Sequence, residues 1–292
     1  MRLILLLVLA LAIAGCDNGS RPTFRGPLAP SPPPQAGPSV AAPPPQPTAT
    51  GVRGWVNDTA FRIIEGARVE VVDGPNAGLS AISDGTGQVS FSGSFDVGAV
   101  FRATKEGYLT TTGTVNSSCA TCPKWITLTM GVLAPPANIA GDYTLTLIAD
   151  STCGDLPADA RTRTYTAAIT PVESANRPAN TYFDVNVSGA TLLAGYKKFW
   201  IGVAGDYLSF SLDWEGPILV EELAANTYVA FGGWATTTLG TAAATTISTA
   251  FDGVIDYCEL RAPMGTFYSC TAAAVAHAQC TSKNHQITLT RR

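Results

Sequence analysis

Short runs of alternating apolar and polar residues, separated by turn sequences, recur along the chain from Val52 to Thr290. In Arg68-Val69-Glu70-Val71 the two valines would face one side of a strand and the charged side chains the other. Turn residues such as Asp84-Gly85-Thr86-Gly87 follow within a few positions. Only 14% of the residues are charged, against about 25% in typical proteins. The pattern predicts an all-β protein of short strands joined by tight turns.

The strand pattern falls into two parts, and 292 residues are enough for two domains. Residues 51–131 contain seven strand-like runs, which predict a seven-stranded β-sandwich. The proline pair in Leu133-Ala134-Pro135-Pro136-Ala137 predicts a hinge over residues 132–138. Residues 139–292 contain eight to nine further runs. For these we predict a lipocalin-like up-and-down antiparallel barrel, because closure removes exposed strand edges, with a second sandwich as the alternative.

The first sixteen residues have the features of an export signal. A single positive charge, Arg2, precedes an unbroken apolar run over residues 3–14, which is too short for a permanent membrane span. The ending Ile13-Ala14-Gly15-Cys16 resembles the lipobox of bacterial lipoproteins. That resemblance implies a signal peptide over residues 1–15, lipid on the Cys16 thiol and an address in the bacterial cell envelope, with the inner or outer membrane left open. The alternative is an ordinary signal peptide with a chance cysteine.

Residues 16–50 then predict a disordered tether. Eleven of the chain's twenty prolines lie here, and large apolar residues are almost absent. Such a segment cannot bury a core, and its prolines favour an extended polyproline II conformation. At about 3.1 Å per residue it would hold the folded part up to roughly 100 Å from its anchor.

The cysteines predict a set of disulfides. Besides Cys16 the chain has six cysteines, an even number that indicates three disulfides in an exported protein but allows 15 pairings. We expect the pairs Cys119–Cys122, Cys258–Cys270 and Cys153–Cys280. The first two are local in sequence, and the third would join the start of the second half to its end.

Four motifs in the first half resemble a known module. They are Gly54-Trp55-Val56, Gly66-Ala67-Arg68-Val69-Glu70-Val71, Ser83-Asp84-Gly85-Thr86-Gly87-Gln88-Val89 and Lys105-Glu106-Gly107-Tyr108. Together they resemble the carboxypeptidase regulatory-like domain, a transthyretin-like sandwich that shares its fold with starch-binding domains. The resemblance implies a non-catalytic appended module with carbohydrate as the ligand class.

The sequence contains few candidate catalytic residues. The only histidines, His277 and His285, have no acidic residue at metal-ligand spacing, and hydrolase, metalloprotease and phosphate-loop motifs are missing from the sequence. In the pair Glu221-Glu222, neighbours on a strand would face opposite sides, so at most one could point into a barrel. We therefore expect no catalytic residue, metal or cofactor, with an enzyme site around Glu222 or His285 as an alternative.

Aromatic residues in the second half are the better candidates for ligand binding. We expect Phe231 in the core, and we name as candidate ligand-binding residues Tyr196, Trp200, Trp214, Tyr228 and Trp234. Exposed rings of this kind stack on sugars, while inward ones line an apolar cavity. A net charge of −4 without any Lys/Arg cluster excludes nucleic acid as a partner. The sequence thus predicts a membrane-anchored, non-catalytic binding module with glycan as the favoured ligand. The alternative is a carrier of a small apolar ligand in the barrel.

Overall fold

The computed structural model describes residues 51–116, 123–173, 177–212, 219–240, 245–265, 268–270 and 274–292. Within these residues the chain forms sixteen strands and one short helix, and the all-β prediction is confirmed. The expected Cys119–Cys122 pair and Trp214 lie outside the described residues, as do the signal segment and the tether.

Seven strands form a sandwich of two sheets, as predicted. The first sheet has the strand order β4-β1-β7 and contains β1 (Gly51–Asp58), β4 (Gln88–Ser92) and β7 (Lys124–Met130). The second has the order β3-β2-β5-β6 and contains β2 (Arg68–Val71), β3 (Ser80–Ile82), β5 (Val100–Thr104) and β6 (Thr111–Thr114). Neighbours are antiparallel except β1 and β7, which run parallel.

The alternation seen in the sequence places the sandwich core. Val69 and Val71 are buried, and the opposite face of β2 carries Glu70, which pairs with Arg102 on β5. Between the sheets the rings of Phe91, Phe95 and Phe101 pack with centroids 5.1–6.3 Å apart. Because side chains alternate along a strand, the residues between these core positions face solvent.

Eight strands of the second half close into the predicted antiparallel barrel. They are β8 (Gly141–Ile148), β9 (Thr162–Pro171), β10 (Tyr182–Ser188), β11 (Leu192–Ala204), β12 (Tyr207–Ser211), β14 (Thr227–Thr238), β15 (Thr246–Leu260) and β16 (Ala274–Arg291). Successive strands pair in chain order, and β16 pairs with β8 to close the barrel. The remaining elements are β13 (Leu219–Ala224), which pairs with one end of β11 and β14, and the helix α1 (Ala158–Arg161) before β9.

Side chains fill the interior of this barrel. On β11, Phe199, Ile201 and Val203 are fully buried in one cluster with Phe231 of β14, which is a core residue as expected. Aromatic and branched side chains of the other strands complete that cluster. An eight-stranded barrel has an interior just wide enough for such a filling.

The sandwich contacts the outer wall of the barrel directly. The loop after β1 lies on Gly202 of β11, where an added β-carbon would come within 2.6 Å of the Thr59 carbonyl oxygen. The Thr59 hydroxyl donates to the Val203 carbonyl at 2.5 Å. The ring of Phe61 contacts Tyr182 on one side and Trp234 on the other, at centroid distances of 6.3 and 6.4 Å. Glycine at 202 therefore allows this close approach.

In the described part of the chain, the helical structure is too short and too polar to cross a membrane.

Candidate functional site

Two tryptophans are exposed side by side on the outer face of the three-stranded sheet. Trp55 on β1 and Trp125 on β7 are 42% and 44% exposed, although large aromatic side chains are usually well buried. In the parallel register Trp55 lies opposite Thr127 and Trp125 opposite Arg53. The two indoles are therefore diagonal neighbours, roughly 8 Å apart at their Cα atoms from the spacing of strands and the rise along them.

A cleft runs beside Trp125, where the edge strands of the two sheets meet. Its main part encloses about 550 Å³ between β6 and β7. Trp125 forms part of its wall, and the polar lining consists of Thr111, Thr112, Thr114, Asn116, Thr127 and Thr129. Two backbone hydrogen bonds between Asn116 and Trp125, at 2.9 and 3.1 Å, bring the two edges together. The cleft therefore presents hydroxyl and amide groups beside an aromatic ring.

The cleft continues along β6 toward the barrel. A further part of about 250 Å³ shares Thr111, Thr112 and Thr129 and is also lined by Leu109 and Pro178. Pro178 and its neighbour Arg177 belong to the segment that precedes β10, so the barrel half contributes to a cleft otherwise built by the sandwich.

Arg177 brings a positive charge to the cleft. Its guanidinium carbon lies 4.7 Å from the centroid of the Tyr182 ring and 5.3 Å from that of Phe61. Its Nη1 is buried and makes no hydrogen bond among the described residues. Burial lowers the pKa of Arg177 and also raises the pKa of Tyr182.

The aromatic residues predicted as binding residues in the second half do not line this cleft where the structure describes them. Tyr228 is buried, and its hydroxyl accepts a hydrogen bond from the Met264 N–H at 3.0 Å. The Tyr196 hydroxyl accepts one from the Tyr268 N–H at 2.9 Å. Both tyrosines thus hold the segment after β15 against the barrel. In the register of β11, β12 and β14, Trp200 and Trp234 flank Ser211 on the outer wall.

Sequence reasoning missed Trp55 and Trp125 as candidate binding residues. The signal was present, because each tryptophan occupies an outward position in the alternation of its strand. Trp125 lies next to the core residue Ile126, and Trp55 next to Val56. A tryptophan at the solvent side of such a pattern indicates a surface where an aromatic ring is useful.

The two adjacent glutamates face opposite sides of β13, as expected from strand geometry. Glu221 is 4% exposed and faces the barrel interior, where Arg163 Nε and the Tyr165 hydroxyl each donate to its Oε2 at 2.8 Å. Glu222 faces outward and accepts a hydrogen bond from the Asn226 N–H at 3.1 Å. The hydrogen bonds to Glu221 raise the pKa of Arg163, while burial raises the pKa of Tyr165. The inward glutamate is therefore committed to an ion pair.

The two histidines have structural contacts. His277 Nε2 lies 2.6 Å from Asp256 Oδ1, and Asp256 Oδ2 accepts a hydrogen bond from Tyr268 at 2.6 Å. These contacts fasten the segment linked by the Cys258–Cys270 disulfide. His285 is completely buried against Phe251, and its Nδ1 accepts the Asp150 N–H at 3.1 Å. Burial lowers the pKa of His285, which favours the neutral ring.

The structure contains two of the disulfides expected from the sequence, the long-range Cys153–Cys280 and the local Cys258–Cys270. The side chains of Cys153, Cys280 and His285 come within 4.8 Å of one another. Metal binding through cysteine requires a thiolate, and these two sulfurs are bonded to each other. The cluster is therefore explained as a covalent link packed on a buried imidazole.

Comparison of the chain with family models, with curated proteins and with solved structures finds no match. The likeness of the sandwich to regulatory-like domains, and that of the first residues to lipoprotein signals, therefore stay predictions.

Proposed function

We propose that this protein is an envelope lipoprotein, anchored by lipid on Cys16, whose sandwich binds glycan without catalysis. The observation that carries the proposal is the pair of half-exposed neighbouring tryptophans, Trp55 and Trp125, of which Trp125 lines a cleft rich in hydroxyl groups. Aromatic faces pack against the apolar faces of sugar rings, and small-molecule sites combine such surfaces with a few placed polar groups. Exposed apolar surface without such a role is a liability for a monomer in water.

The polar lining suits a polymer rich in hydroxyl groups. A threonine hydroxyl both donates and accepts hydrogen bonds, and so does the amide of Asn116. Because five of the lining side chains are threonines, a sugar hydroxyl finds a partner in either orientation.

The filled barrel supports this proposal over an apolar-ligand carrier. A carrier needs space among the inward side chains, whereas Phe183, Phe199, Phe210, Phe231 and Phe251 pack there in one cluster with the aliphatic residues. In the proposed function the barrel serves as a scaffold for the sandwich. It holds the sandwich through the loop on Gly202 and supplies Arg177 to the cleft.

Replacing Trp125 by alanine is expected to weaken polysaccharide binding about tenfold, and replacing Trp55 as well to weaken it about a hundredfold. The physical reason is the loss of one and then two stacking faces. Affinity electrophoresis of the full-length protein in detergent, through gels containing starch, β-glucan, galactan or polygalacturonate, measures the effect. Trp200→Ala on the barrel wall is the matched control. Loss of binding in that variant alone would move the site to the barrel, and migration unaffected by every polymer would refute the proposal.

Replacing Cys16 by serine is expected to release the protein from the membrane fraction, because serine has no thiol to carry the lipid. Radiolabelled palmitate should be incorporated into the wild-type protein and not into the variant. Fractionation of cells expressing each form, followed by mass spectrometry of the N-terminus, provides the measurement. A variant that stays membrane-bound after a carbonate wash, with no uncleaved chains present, would contradict the anchor.

A further inference from the structure

We propose that the cleft binds an acidic glycan, with the Arg177 guanidinium pairing with a carboxylate carried by one of its sugar units. The inference rests on the proposed function and specifies its ligand class. It starts from the arginine that the barrel half brings to the end of the threonine-lined cleft.

Arg177 differs from three arginines that pair with acidic side chains. Arg62, Arg102 and Arg163 each form a salt bridge with a carboxylate of the protein. In the described part of the chain Arg177 has no acidic partner, and its buried Nη1 donates no hydrogen bond. Burying a charge that lacks a partner costs free energy, and a guanidinium keeps its charge under all ordinary conditions.

Stacking on Phe61 and Tyr182 compensates only part of the cost of burying the Arg177 guanidinium. Ring faces attract the flat side of a guanidinium and hold its plane in a fixed orientation. The N–H donors point along the edge of that plane, where a carboxylate accepts two of them in a fork. The rings therefore orient the guanidinium, and because Nη1 itself is closed to solvent, a carboxylate entering from the cleft would pair with the Nε/Nη2 edge.

The surroundings suit a sugar carboxylate better than a phosphate polymer. Binding of nucleic acid needs several cations along a backbone, and this chain carries a net charge of −4 without a basic cluster. A single guanidinium in a cleft also lined by Thr111, Thr112 and Asn116 instead fits one carboxylate on a unit rich in hydroxyl groups. Trp125 supplies the stacking surface for that unit or its neighbour.

The test compares polymers that differ only in the carboxylate. Binding of the full-length protein in detergent is measured by calorimetry with polygalacturonate and alginate, and with the methyl ester of each. We expect the wild type to bind at least one acid form ten or more times tighter than its ester, with the difference shrinking as sodium chloride is raised. Arg177→Gln should bind acid and ester equally, while Arg177→Lys should keep part of the preference because it retains the charge without the fork.

Arg291→Gln provides the matched control, since Arg291 also stacks on a tyrosine, Tyr143, and lies on β16. Equal binding of the acids and their esters by the wild type would overturn the acidic preference while leaving glycan binding intact. An acid preference that survives in Arg177→Gln would overturn the role of Arg177. Failure to bind any polysaccharide, neutral or acidic, with no effect of Trp125→Ala, would instead refute the proposed function itself. Urea unfolding midpoints of the Arg177 variants show that the compared proteins are folded.

Discussion

Replacing Cys153 and Cys280 together by alanine is expected to lower the free energy of unfolding by about 5 kcal/mol in the chain-entropy model. The two cysteines are 127 residues apart, so their bond removes much of the conformational freedom of the unfolded chain. The bond also joins the segment after β8 to β16, and these are the strands whose pairing closes the barrel. Urea unfolding, monitored by tryptophan fluorescence, measures the difference.

The second disulfide provides the matched comparison. Cys258 and Cys270 are only 12 residues apart, so the same model gives a cost of about 3 kcal/mol for replacing both. Cys153, Cys258 and Cys270 are buried and Cys280 is half-buried, and alanine removes the sulfur in each case. If the Cys258/Cys270 variant were the less stable of the two, loop length would not be the deciding cause.

The strand architecture could be predicted because its signal is local. Side chains alternate every two residues, so burial of Val69 and Val71 is visible in the sequence of β2 alone. The same alternation gave enough strands in the second half for closure to be the favoured solution, and β16 does pair with β8. The expectation of a barrel is thereby confirmed over that of a second sandwich.

The candidate site could not be predicted in the same way, because exposure depends on distant segments. Tyr228 and Tyr196 have the residue type of a binding surface, yet the segment after β15 covers them and uses their hydroxyls. Trp55 and Trp125 remain uncovered on the first sheet. The alternation of a strand shows which side chains point away from the core, as at Trp55 and Trp125, but long-range packing decides which of these outer faces stays uncovered.

Arg177 shows most clearly which part of the site could not be predicted from the sequence. It lies in a connection without periodicity, and its importance comes from Phe61, more than a hundred residues earlier in the chain. Phe61 has a positive φ of 63°, a conformation rare for an aromatic residue, and it packs between Tyr182 and Trp234 where Gly202 leaves room. These long-range contacts of Phe61 form the end of the cleft at Arg177, and they are visible only in the structure.

Replacing Glu221 by glutamine is expected to lower the free energy of unfolding by about 3 kcal/mol, near the lower end of the values for breaking a buried ion pair. Glu221 is 4% exposed, and it accepts hydrogen bonds from both Arg163 and Tyr165 across the barrel interior. The variant leaves the Arg163 charge without its partner, and the quarter exposure of that side chain moderates the loss. Glu222→Gln is the neighbouring control, expected to cost under about 0.5 kcal/mol because it keeps its acceptor oxygen on the outer face.

A double variant separates the cost of an unpaired charge from the value of the pair. Removing both charges with Arg163→Met and Glu221→Leu should recover most of the stability lost in Glu221→Gln, since apolar replacements of a buried pair are often neutral or better. The Tyr165 hydroxyl then loses its acceptor, so the recovery should be short of complete by about 1 kcal/mol. Adding Tyr165→Phe to the double variant should recover the remaining stability, because the unpaired hydroxyl is then removed. If the double variant were as unstable as Glu221→Gln, the Arg163–Glu221 pair would itself stabilise the barrel end, and the cost could not be assigned to the uncompensated guanidinium.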